Sequence, residues 1–99
     1  MSISSQSSNG TLTISISGRF DFSIHRDFRA AIDAVDGQVK HVNVDMRTTE
    51  YLDSSALGML LLLKSKMNDR KDAVSLINAK PDVKKILEIA NFSQLFTLS

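Results

Sequence analysis

Cysteine and tryptophan are absent from this chain, and proline occurs once, at Pro81. Without thiols there can be no disulfide framework, no thiolate nucleophile and no cysteine-ligated zinc, a composition suited to a reducing cytoplasm. Glycine is sparse as well. Gly10, Gly18, Gly37 and Gly58 stand one at a time, so no glycine-rich loop cradles a phosphate. An excess of one charge is also lacking: twelve basic and eleven acidic side chains leave +1, with no block of like charge to grip nucleic acid. Lys64, Lys66, Arg70 and Lys71 do cluster, but no aromatic residue is interleaved with them, and they read as a solvated helix end that favours the negative pole. Long hydrophobic runs are missing too. The longest, Ala56 to Leu63 with Gly58 inside it, falls far short of the roughly 20 residues that span a bilayer. Met1 to Gly10 is polar and serine-rich, unlike a secretory signal. A cytoplasmic protein with no membrane insertion is expected.

What is present is a core. Hydrophobic residues make up 42% of 99 positions, enough for one domain over 1–99 without metal or disulfide staples. Leu12, Ile14 and Ile16 alternate with Thr11, Thr13, Ser15 and Ser17, the period of a strand with one buried face. Asn9-Gly10 just before it suits a tight hairpin turn, so a leading strand through Ile3 is expected to pair with it. Ile24, Phe28, Ala31, Ile32 and Val35 then recur at helical spacing, with Ser23 as the expected N-cap and Gly37 as the left-handed stop. Val42, Val44 and Met46 alternate again as a strand. A second helix is expected from about Ser55 to Met67, apolar nearly all round and therefore covered on several sides or by a partner. Asn68 to Lys71 breaks it, Ala73 to Ile77 forms a short strand, and Pro81 opens a third helix through Val83, Ile86, Leu87 and Ala90. Phe92, Leu95 and Phe96 are expected to fold back onto the core. The order ββαβαβα predicts an α/β fold, a mixed sheet of about four strands with helices packed on it.

The chemistry concentrates at Tyr51-Leu52-Asp53-Ser54-Ser55-Ala56-Leu57-Gly58, where an extended segment becomes the apolar helix. Free N–H groups at a helix start attract anions, so a serine there carries a phosphate with little strain on the fold. The plain alternative is that one serine merely caps the helix, worth about 1 kcal/mol. A hydrolase assembled from Ser54, Ser55, Asp53, His25 and His41 is disfavoured, because no glycine-flanked nucleophile elbow is present and the histidines fall on polar faces. Two histidines without close acidic spacing make no metal site, so no catalytic residue, metal or cofactor is expected.

These residues resemble a family. Asp53-Ser54-Ser55-Ala56-Leu57-Gly58 is similar to the Asp-Ser-Ser/Thr-Gly-Leu-Gly segment of STAS-domain anti-sigma factor antagonists. Gly18-Arg19-Phe20-Asp21 resembles that family's Gly-Glu-Leu-Asp turn, Pro81-Asp82-Val83-Lys84-Lys85-Ile86-Leu87 its Pro-x-Val-Lys-Arg-Leu-Phe helix, and Asn91 to Phe96 its closing segment. The resemblance implies a single STAS domain that is phosphorylated on the serine after the aspartate, here Ser54 with Ser55 as the alternative. It implies an anti-sigma factor partner, commonly a serine kinase, a phosphatase that removes the phosphate, and release of a sigma factor by the unmodified form without contact to DNA. The partner surface expected here comprises Asp21, Asp53, Ser54, Ser55, Ala56, Leu57, Leu60 and Leu61. Ala56 departs from the family's glycine, and the chain stops at Ser99, short of a final helix in longer members. A STAS subunit fixed to a transporter ATPase or a signalling assembly, with no phosphorylation, is the alternative in a different class.

Overall fold

Period-two alternation builds the centre of the molecule, whose computed structural model describes residues 3–99. In β2 (Thr11–Ile16) Leu12, Ile14 and Ile16 are buried while the threonines and serine between them face outward, half-buried. β1 (Ile3–Ser8) pairs antiparallel with it over six residues, from Ile3 opposite Ile16 to Ser8 opposite Thr11. The connecting Asn9 and Gly10 both have positive φ, 52° and 83°, as a two-residue hairpin of the primed type requires. β4 (His41–Asp45), β6 (Val74–Ile77) and β7 (Thr97–Leu98) continue the sheet in parallel, in the order β1-β2-β4-β6-β7. The sheet thus has five strands where about four were expected, because Phe92 and Phe96 anchor the tail in the core and lay Thr97–Leu98 along β6.

A second, unexpected ladder lies beside this sheet. β3 (Gly18–Phe20) and β5 (Thr49–Leu52) pair in parallel, with Arg19 opposite Tyr51 and Phe20 opposite Leu52. Both segments are too short to show a period of their own. Thr49, fully buried, locks them to the main sheet by donating its hydroxyl to the Ile16 carbonyl at 2.7 Å.

Three helices close one side of the core: α1 (His25–Asp33), α2 (Ser54–Lys66) and α3 (Pro81–Ile89). Phe28 and Ile32 of α1, Met59, Leu60 and Leu63 of α2, and Val83 and Leu87 of α3 join the buried strand residues in one cluster. Their caps differ from the expected ones. Asp21, not Ser23, caps the single 3-10 turn Phe22–Ile24 that leads into α1, since its carboxylate accepts the backbone N–H of Ser23. Gly37 is not the left-handed stop; those glycines are Gly10 and Gly18. α1 instead closes through a tight bond from Val35 N–H to the Ile32 carbonyl at 3.0 Å, which needs no left-handed residue. Pro81 holds the first position of α3 as expected. α2 breaks at Asn68 and Asp69, both left-handed, and Lys64 donates to the Asp69 carbonyl at 2.7 Å, so part of the basic cluster satisfies this helix end. No helix among the described residues is long and apolar enough to cross a membrane.

Candidate functional site

The parallel ladder β3–β5 brings two separate sequence segments to one edge. Because Phe20 lies opposite Leu52, the next residues, Asp21 and Asp53, leave neighbouring strands side by side, and Asp53 N–H reaches the Phe20 carbonyl at 3.4 Å. Each aspartate then starts a helical turn. Asp53 caps α2 by accepting the Ala56 N–H at 3.0 Å, while Asp21 accepts the Ser23 N–H at 2.9 Å and also the Ser23 hydroxyl. An aspartate therefore does the capping that was considered for a serine, and the hydroxyls of Ser54 and Ser55 are left without a hydrogen-bond partner among the described residues.

The electrostatics follow from these bonds. The Ser23 hydroxyl and N–H hold the Asp21 carboxyl below its ordinary value, and Arg19, whose Nε lies 3.1 Å from the carboxylate, adds to the effect. Arg19 also stacks over Tyr51, 4.4 Å from the ring centroid, so one guanidinium bridges the acid and the aromatic across the ladder. Asp53 uses one oxygen on Ala56, and the N–H groups of Ser54 and Ser55 stay unpaired among the described residues. The start of α2 thus offers two free donors and a positive pole beside an exposed hydroxyl.

Burial sorts the expected site residues. Ser54 is exposed, whereas Asp21, Asp53, Ser55 and Leu57 are half-buried. Leu61 is 43% exposed. Ala56 and Leu60, both 0% exposed, are corrected out of the partner surface: they point into the core and have nothing to present. The open stripe of α2 runs Ser54, Gly58, Leu61, Leu62 and Ser65, residues spaced four, three, one and three apart on one helical face. Sequence reasoning missed Arg19 and Tyr51 as a pair, and Phe22, which is 68% exposed and stacks on His25 with centroids 5.3 Å apart. A phenylalanine directly after a capping acid was the available signal for Phe22; the Arg19–Tyr51 pair has no local one. His41 is not a base for Ser54, because its Nε2 is engaged on the far face of the sheet by Asn43 Oδ1 and Ser75 Oγ, each at 3.0 Å.

A family model described as "Mlab, STAS domain" matches residues 3–98, nearly the whole chain. The chain belongs to the STAS domain family. A STAS-domain containing protein of Pseudomonas aeruginosa is 52% identical over 88 residues, 89% of this chain and 87% of that protein. Among solved structures, an anti-sigma factor antagonist from Mycobacterium paratuberculosis superimposes with a TM-score of 0.81 at 20% identity, covering 97% of this chain and 82% of the other. The anti-sigma factor antagonist SpoIIAA in its unphosphorylated form gives a TM-score of 0.76 at 19% identity, over 98% and 86% of the two chains. At that identity the likeness is one of fold, so this STAS domain has the SpoIIAA fold. Its acidic strand ends and open α2 stripe are features of its own side chains.

Proposed function

We propose that this STAS domain is an anti-sigma factor antagonist controlled by reversible phosphorylation of Ser54. In its unmodified form it docks on an anti-sigma factor through Asp21, Asp53, Ser54, Ser55, Leu57 and Leu61, and the sigma factor held by that partner is released. The partner, or a kinase associated with it, moves the terminal phosphoryl group of a nucleoside triphosphate onto Ser54 Oγ, releasing the nucleoside diphosphate and the hydroxyl proton, and a phosphatase hydrolyses the ester to restore the hydroxyl and free phosphate. The observation that carries this reading is an exposed serine at the first position of α2 whose hydroxyl no neighbour uses, while the adjacent Asp53 has taken over the cap. A hydroxyl with no structural duty is free to be modified.

The physics of the switch is local. A phosphoserine brings about −1.5 to −2 charge, which the free N–H groups and positive pole of α2 accommodate, so the fold persists. In an interface that already holds Asp21 and Asp53, the same charge is desolvated beside like charges, and docking is lost. No catalytic role is assigned: among the described residues no side chain hydrogen-bonds the Ser54 hydroxyl as a general base would, and that hydroxyl is an acceptor of phosphate here.

Gly58 supports the reading from a different direction. A glycine inside a helix costs about 1 kcal/mol relative to alanine. An added Cβ at Gly58 would meet nothing within 4 Å, so no contact among the described residues requires the glycine. On this reading the bare backbone leaves room for close approach of the partner one turn beyond Ser54. Gly58→Ala is expected to raise the melting temperature by about 4–8 °C and to weaken partner binding, a combination read by calorimetry alongside affinity titration. Higher stability with unchanged affinity would remove this support.

Intact mass of the protein isolated from its own cells, with peptide mapping, tests the proposal itself. The expected result is a phosphate-sized shift located at Ser54. Phosphate confined to Ser55 would move the switch by one residue, and stoichiometric co-purification with a transporter ATPase and no phosphate would replace it with a fixed structural role.

A further inference from the structure

The geometry points to a second copy of this chain as the partner of the open edge of β1, which would join two five-stranded sheets into one of ten. The opposite edge, β7, is two residues long, but β1 presents six, and its residues Ile3 to Ser8 carry no charge, no proline and no bulge. Those are the devices that keep an exposed edge from pairing, and β1 has none of them.

The hairpin dictates which groups are free. Ser8 and Thr11 flank a two-residue turn and so form a hydrogen-bonded pair, as do Gln6 with Thr13 and Ser4 with Ser15, two residues apart along the ladder. The N–H and C=O groups of Ile3, Ser5 and Ser7 therefore point away from β2, and among the described residues none of them has a loop or turn partner. A symmetric antiparallel pair must place residues of the same sheet face opposite one another, so the two-fold axis passes through a residue position rather than between two. Centred on Ser5, the pairing sets Ser5 against Ser5 and Ile3 against Ser7 twice, which gives six hydrogen bonds. Centred on Gln6 or Ser4 it gives four among the described residues. The Ser5 register satisfies every free group on the edge.

The surroundings suit a second copy rather than a charged peptide. α1 flanks β1, and Ile3 to Ser5 share a groove with Asp27, Ala30, Ala31 and Ala34 of that helix and its end. The two-fold axis sets the two α1 helices antiparallel over the joined sheet, with small alanines between them. It brings the N-terminal turn of one, bearing Arg26, beside the C-terminal turn of the other, bearing Asp33. Neither residue has an ion-pair partner among the described residues. The Ser54 site lies at the ends of β3 and β5, outside this edge, so dimerisation and the proposed switch stand or fall separately.

Sedimentation equilibrium of the full chain tests the idea, with mass expected to rise from monomer toward twice that value with concentration. Ser5→Pro removes an N–H that faces outward and leaves the ladder to β2 intact, so it is expected to keep the parental melting temperature and weaken the dimer about thirtyfold. Cysteine variants check the register in a chain that has no cysteine of its own. Ser5→Cys places two thiols on Cα atoms about 5.5 Å apart, within disulfide reach, and is expected to cross-link rapidly under mild oxidation. Gln6→Cys lies opposite Ser4 of the other copy, with its thiols about 8 Å apart by Cα and too far to bridge. A monomer at all concentrations, a dimer indifferent to Ser5→Pro in a folded protein, or equal cross-linking at both positions would overturn the proposal.

Discussion

Ser54→Asp is expected to bind the proposed anti-sigma partner about a hundredfold more weakly than Ser54→Ala, a difference of about 2.7 kcal/mol, while both variants melt within a few degrees of the parent. The separation of affinity from stability is the point. Ser54 is exposed and its hydroxyl bonds to nothing among the described residues, so neither substitution removes a hydrogen bond seen there. A carboxylate at the first turn of α2 even favours the helix, since it faces the positive end of the macrodipole. The interface is different. Asp21 and Asp53 already stand at the adjoining strand ends, and among the described residues Arg19 is the one cation bonded to either, held at 3.1 Å from Asp21. A further negative charge there adds to those two carboxylates when water is displaced by a partner. Titration of the two variants and the parent against the captured partner reads the effect, and Ser54→Ala should also accept no phosphate at that position. Three equal affinities would end the switch interpretation whatever the melting temperatures.

Leu60→Glu should prevent folding, whereas its neighbour Leu61→Glu should fold and fail to bind. Leu60 is 0% exposed in the middle of the core, packed with Met59 and Leu63 of its own helix and with the strands beneath. Placing a carboxylate there combines a lost apolar side chain, worth about 2–5 kcal/mol, with the burial of an unpaired polar group. The sum exceeds much of the roughly 5–15 kcal/mol that holds a small domain together. Leu61 is 43% exposed, one helical step away, so glutamate there remains in water and costs little stability. Its effect falls on the stripe that begins at Ser54. Circular dichroism with affinity capture distinguishes the two outcomes, and a folded Leu60→Glu or a fully binding Leu61→Glu would show that the orientation of α2 or its docking face is wrong.

These two leucines mark where reading the sequence stopped. A run of apolar residues from Leu60 to Leu63 identifies a helix with more hydrophobic surface than one sheet covers, but it has no phase, so inside and outside cannot be told apart. α1 and α3 were legible because Phe28 with Ile32, and Val83 with Leu87, are spaced four apart against charged neighbours. The caps were misassigned for a related reason. Ser23 and the Ser54-Ser55 pair are good capping types, yet Asp21 and Asp53 precede them, and which residue bends into the extended conformation depends on where the strand before it ends.

From its own pattern the sequence determined the hairpin at Asn9-Gly10, the alternating strands β2 and β4, two amphipathic helices, the Pro81 start and a serine pair at the mouth of an apolar helix. All of these depend on neighbours a few residues apart, the range over which backbone periodicity and turn geometry act. Only the tertiary structure decided that Gly18–Phe20 and Thr49–Leu52 pair, that Asp21 therefore stands beside Asp53, that the tail adds a strand, and that Leu61 rather than Leu60 meets solvent. The two pairings join segments some twenty to thirty residues apart, and a pairing of that separation is selected by the shape of the whole core, which no short window of residues contains.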